Sequence, residues 1–203
     1  MAYIFQQKGG KSMQDSKNNC RQAAGVIAIA CGNTFARGAQ KAVEHVLVSS
    51  GLHIVSRGGR ISTLRDYSVA TIEFEGLPGA QSAAAIIGPA AQDCEETFLQ
   101  KYNCVVFPYN RDRKKNAPEN GTQVIEYSHD EDSADLVAKN IVETEEYTSF
   151  ELLGTGIIGR IKLHKGSGLS VEAALAISGA LLAAGISLPD VTNGLSGYFA
   201  QGD

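Results

Sequence analysis

The chain has 203 residues, 18 basic against 22 acidic, and a formal net charge of -4, which suits one ordinary domain with a real core. Apolar residues make up 43% and charged residues 20%, so the chain is not disordered as a whole. The mildly acidic total argues against a general binder of nucleic acid or anionic membrane. Residues 1–23 are polar and read as an arm. Within it Gly10-Lys11-Ser12 resembles the end of a phosphate-binding loop, but Phe5 stands where that motif needs a glycine. The folded part is expected over 24–203. Gly25 to Ala30 is a short apolar run bounded by polar residues, the pattern of a strand buried on both faces. Cys31 to Thr34 reads as a turn. A helix is expected from Phe35 to Ser50, with Val43, Val46 and Leu47 on one face and Gly51 as its stop. Further strands are expected at 52–56, 69–74, 83–87 and 104–107, with 57–60 as a loop. Asp93 to Lys101 is amphipathic, with Cys94 and Phe98 four apart, and Arg111 to Lys115 is a charged surface loop.

After Gly121 the connections shorten. Residues 124–127, 134–142, 149–153 and 157–163 all read as strands, which suggests antiparallel pairing. An Ala/Leu-rich helix follows from Leu169 to Ala184, stopped by Gly185. A short helix comes next, with Ser187 and Asp190 at capping-box spacing. The fold class expected is α/β: a mostly parallel sheet flanked by helices, built from the first five strands, with a small antiparallel sheet from 123–163.

No run reaches the ~18 apolar residues of a membrane span, and no apolar signal-peptide core opens the chain. A cytoplasmic location is expected. The cysteines Cys20, Cys31, Cys94 and Cys104 lack Cys-x-x-Cys spacing, and the four histidines form no ligand pair. Reduced thiols and no metal site are expected.

Two stretches resemble a known family. One is Gly25-Val26-Ile27-Ala28-Ile29-Ala30-Cys31-Gly32-Asn33-Thr34 with its helix, ending Ser49-Ser50-Gly51-Leu52. The other runs from Gln123-Val124-Ile125-Glu126-Tyr127-Ser128 through Ala134 to Ile141 and Ser149 to Leu152. It closes with Lys165-Gly166-Ser167-Gly168-Leu169-Ser170-Val171-Glu172-Ala173-Ala174-Leu175-Ala176 and Ala183 to Leu188. In arrangement these resemble the central ATP-binding domain of the Mur ligases, over roughly residues 24–197, with 58–90 shortened. The resemblance implies that fold and, at the first loop, a Gly-Thr-Asn-Gly-Lys-Thr pattern whose Lys meets ATP phosphates and whose Thr ligates Mg²⁺. Here Phe35 stands at the Lys position and Ala36 at the Thr position. The family's later His-Asn pair aligns with Gly168-Leu169 and its second Asn with Glu172. No Asp-His dipeptide exists to match the one at the second metal site. Glu73 or Glu75 is the candidate for the metal-binding Glu, and each is also read as a solvated carboxylate. Counterparts of the family's two flanking domains are not expected within these residues.

The resulting expectation is a non-catalytic, Mur-ligase-like domain with a degenerate phosphate loop, acting by protein contacts or weak ligand binding. The alternatives are an ATP-dependent amide ligase, or one subunit of it, and a plain nucleotide or anion module. The weak anion site is assigned to Gly32, Asn33, Thr34 and Arg37, since a helix N-terminus favours anions without help from side chains. No catalytic residue, metal or cofactor is assigned. Cys31 is read as a small residue in a tight turn rather than a nucleophile. The acidic runs His129 to Asp132 and Glu143 to Glu146 are read as turn surfaces. The partners expected are a second copy of the chain or another protein, and a phosphate-containing small molecule, with no nucleic acid or membrane.

Overall fold

The computed structural model describes residues 24–62, 67–88, 100–110 and 121–199, and within them only the backbone of 33–36, 59–62 and 67. The elements run β1 (Gly25–Gly32), α1 (Asn33–Ser49), β2 (His53–Ser62), β3 (Tyr67–Glu75), β4 (Ser82–Ile86), β5 (Cys104–Pro108), β6 (Gln123–Ser128), β7 (Leu136–Glu143), β8 (Tyr147–Gly154) and β9 (Ile157–His164). A short 3-10 turn (Lys165–Ser167), α2 (Val171–Ala183) and α3 (Leu188–Gly197) complete the fold. The expected arm at 1–23, the amphipathic stretch near Cys94 and Phe98, and the loop at Arg111 to Lys115 lie outside the described residues.

The strands form one nine-stranded sheet in the order β2-β3-β1-β4-β5-β6-β7-β8-β9. The run β1-β4-β5-β6-β7 is parallel, while β1·β3, β2·β3, β7·β8 and β8·β9 are antiparallel. The fold is therefore α/β with a mixed sheet, and four details of the sequence reading are corrected. The strands expected at 52–56 and 69–74 pair antiparallel, and β2 continues through the segment expected to be a loop. Only four residues separate Ser62 from Tyr67, far short of the dozen or more a parallel crossover needs. The strand at 123–128 belongs to the parallel run. The antiparallel strands after it extend the same sheet rather than forming a second one.

Burial explains the apolar runs. In β1, Ile27 to Ala30 are all fully buried, because both faces of the sheet centre are covered. Ile27, Ile29 and Cys31 join Ile72, Phe74, Ala83, Ala85 and Val106 in a core shared with Val43, Val46 and Leu47 of α1 and Leu175 and Leu181 of α2. On the opposite face Ala28, Ala30, Ala84, Ile86, Val105 and Phe107 form a smaller cluster. Two glycines set the helix approach. A Cβ on Gly194 of α3 would lie 2.9 Å from Val46 Cγ2 and 3.0 Å from Val46 Cα. One on Gly179 of α2 would lie 2.8 Å from both Leu136 Cδ1 and Val106 Cγ1.

Helix α3 closes the β9 edge. The Lys162 N–H donates to Ser196 Oγ at 3.0 Å, and Gly159 sits against Thr192 and Leu188. An edge N–H that would otherwise template foreign strands is thus satisfied within the chain. Among the described residues no helix is long and apolar enough to cross a membrane.

Candidate anion-binding site

Strand β1 ends at Gly32, which is the N-cap of α1 (φ -56, ψ 144) and makes no side-chain capping hydrogen bond. The helix begins at Asn33, two residues before the expected start. The assigned Asn33 and Thr34 therefore belong to its first turn and not to a preceding loop. First-turn N–H groups have no intrahelical acceptor, and they carry the positive end of the helix dipole. No acidic residue lies in that turn. Gly32 is half-buried and Arg37 is exposed. Arg37 lies one turn into the helix, so only its side chain can reach a ligand at the N-terminus.

This junction sits at the carboxyl end of the parallel strands. Ala30 pairs with Ile86 of β4, and the Ile87 N–H donates to Ala30 O at 2.8 Å. From β1 the chain passes to β2 and β3 on one side, while β4 leads to β5 on the other. Such a reversal opens the crevice in which α/β sheets hold ligands.

The N-terminus of α2 lies at the same edge. Ser170 caps it, its Oγ accepting the Ala173 N–H at 3.1 Å. Glu172 stands in the first turn. The buried Tyr127 hydroxyl donates to Ile86 O at 3.0 Å, with Glu172 Oε1 at 3.4 Å. Burial first, and the Glu172 charge second, push the Tyr127 hydroxyl far above its usual range, so it remains a donor. Sequence reasoning gave Tyr127 no role at this edge. Its one signal was a polar atom at the end of an otherwise apolar strand, and its partner lies 45 residues away.

The other sequence-assigned residues separate from this edge. Cys31 is buried, and burial lifts its thiol from 9.0 to about 11. Desolvation thus outweighs any helix-terminal lowering, and the expected tight turn is corrected, because Cys31 lies within β1, paired with Ser68 of β3. Glu73 and Glu75 are corrected as candidates. They lie within β3, opposite Val26 and His53. From Val26 to Gly32 is roughly 20 Å of strand at the usual rise. The acidic runs lie in the turn after β6 and around the β7–β8 turn. There Asp132 pairs with Lys139, and Glu143 pairs with Lys165 at 3.1 Å. Among the described residues no group of three His, Cys, Asp or Glu gathers in a way that could hold a metal.

No protein-family model matches the chain, and no curated protein matches it. Solved structures of Mur ligases are among those similar to it. MurF from Acinetobacter baumannii is 20% identical, over 60% of this chain and 29% of that one, with a TM-score of 0.44. A UDP-N-acetylmuramoyl-L-alanyl-D-glutamate–2,6-diaminopimelate ligase is 13% identical, over 60% of this chain and 28% of that one, with a TM-score of 0.44. The UDP-N-acetylmuramate:L-alanyl-gamma-D-glutamyl-meso-diaminopimelate ligase from Neisseria meningitides is 13% identical, over 87% of this chain and 66% of that one, with a TM-score of 0.46. The chain thus spans less than a third of the first two.

Proposed function

We propose that this chain is a non-catalytic, Mur-ligase-like domain that binds phosphate-bearing ligands weakly and acts through protein contacts. One observation carries the reading. The strand–helix junction at Gly32 sets first-turn N–H groups, which favour anions, at the carboxyl edge of the parallel strands, but the side chains that would serve phosphoryl transfer are missing from the sequence. Phosphoryl transfer depends almost wholly on positive charge held around the terminal phosphate. Phe35 and Ala36 occupy the positions where the resembled pattern has Lys and Thr. Losing one such group typically lowers turnover by about 10²-fold or more. What remains is a ring of first-turn N–H groups, which favours an anion without orienting an attack on it.

The test is calorimetric titration of the pure chain with pyrophosphate and with Mg-ATP, beside an assay for phosphate release. Binding in the millimolar range without turnover is expected. The double substitution Phe35→Lys with Ala36→Thr should tighten Mg-ATP binding by about tenfold, the effect of one charge-assisted contact. Measurable Mg-ATP turnover by the unaltered chain would overturn the reading. So would pyrophosphate binding that the double substitution leaves unmoved.

A further inference from the structure

We propose a second ligand site at the opposite, amino-terminal edge of the parallel strands, shaped for a compact branched-aliphatic amide that is neutral or positively charged. It is independent of the anion site. The ladder between β6 and β7 begins only at Tyr127–Leu136 and contains one further pair, Ser128–Val137. Residues 123–126 therefore have β5 on one side and, among the described residues, no strand on the other.

The direction of each backbone group follows from the period of two along a strand. The Gln123 N–H donates toward β5, to Asn103 O at 2.9 Å. The Glu126 N–H points the other way and is met by Asp135 Oδ2 at 2.9 Å. Val124 shares the orientation of Glu126, so its N–H and C=O both face the gap. Val124 is half-buried, and the ladder supplies no partner to its backbone groups, which leaves them for a ligand or water.

A cavity of about 260 Å³ lies in this gap. Ile125, Leu136, Ile157 and Leu182 give it apolar walls, and Gly179 also lines it. Asp135, Gln123 and Thr155 supply its polar groups. The backbone pair at Val124 offers one donor and one acceptor, the complement of an amide. The apolar walls suit one branched aliphatic group. Among the described residues no cationic one lines the cavity, and Asp135 contributes a carboxylate to its lining. An anionic ligand is disfavoured on that ground, so the ligand class differs from that of the Gly32 junction.

Leucinamide, which joins an ammonium, a carboxamide and an isobutyl group, is the probe; N-acetyl-leucine is its anionic counterpart. In ¹H–¹⁵N spectra of the full chain, leucinamide should saturate in the millimolar range and shift the amides of 123–125, 135–136, 155–157 and 179–182. N-acetyl-leucine should bind at least tenfold more weakly, and Asp135→Asn, which still accepts from Glu126, should narrow that difference. Leu182→Trp, which fills the cavity, should weaken leucinamide binding at least tenfold while amides beyond the cavity keep their positions. If that variant fails to fold, Thr155→Val serves instead, with an expected loss of several-fold. The proposal is overturned by the absence of saturable shifts. It is equally overturned by shifts centred elsewhere, or by equal binding of the anionic probe.

Discussion

Single residues in the core differ in what their polar atoms gain. Ser178, in the middle of α2, is fully buried, and its Oγ has no hydrogen-bond partner among the described residues. An unsatisfied buried hydroxyl destabilises by about 1–3 kcal/mol, and Ala is the better helix former. Ser178→Ala is therefore expected to raise stability by about 1 kcal/mol in urea unfolding; a loss of similar size would mean that the hydroxyl has a partner after all. Tyr127→Phe should act in the opposite direction. It removes the donor to Ile86 O and should lower stability by about 1 kcal/mol, the typical net worth of such a bond. The thiols give a pH dependence. Burial raises both Cys31 and Cys104 from 9.0 to about 11. A raised folded value means that their contribution is complete below pH about 9 and is lost as pH rises through about 11. Replacing both by Ala should flatten that alkaline limb of the stability curve, a result readable by chemical unfolding at stepped pH.

At the scale of elements, local chemistry was legible where one short segment decides the outcome. The Ser187 cap forms as spaced, its Oγ accepting the Asp190 N–H at 3.3 Å, while the Asp190 carboxylate accepts the Ser187 hydroxyl at 2.6 Å in place of the backbone N–H of a full capping box. The apolar face Val43, Val46 and Leu47 is the buried face of α1. Strand direction was less legible, because period-two patterns carry no sign of direction. The brevity of the β2–β3 connection was the usable cue. A bend inside β7 was also invisible. Its register shifts between Lys139 and Val142, and Asn140 there adopts φ 52. The Asn140 amide donates to Glu151 Oε2 at 2.7 Å, and Arg160 holds Glu151 Oε1 at 2.8 Å. The Arg160 bond first, then the Asn140 bond, keep the Glu151 carboxyl below its usual range. Asn tolerates the left-handed region better than most residues, and Gly is free of its strain. Asn140→Ala should therefore destabilise the chain by about 1–2 kcal/mol, and Asn140→Gly by clearly less. Thermal unfolding of the pair distinguishes backbone strain from loss of the Glu151 contact, since equal losses would assign the whole effect to the hydrogen bond.

Across the whole molecule, the sheet joins two regimes through a narrow seam. Residues quoted for the family resemblance lie on both sides of it, and no sequence signal distinguished one continuous sheet from two. The Gly32 junction was legible because strand, glycine and helix are contiguous. The second cavity was not, because it depends on where β7 starts relative to β6, a long-range register. That seam contains only the pairs Tyr127–Leu136 and Ser128–Val137, and α2 packs across it through Gly179. The Gly179 position is occupied on both sides, by Leu136 of β7 and Val106 of β5. A larger residue must push one away, and overpacking of a filled core typically costs about 1–3 kcal/mol. Gly179→Val is expected to reach the upper end, about 3 kcal/mol, because both neighbours belong to strands fixed by ladders. Hydrogen exchange should then quicken most at the amides of β6 and β7, while those at the centre of β1 and β4 keep their protection. A loss below about 0.5 kcal/mol, the range of a neutral surface change, would show that α2 does not hold the seam. Uniform acceleration across the sheet would show that the two halves open as one.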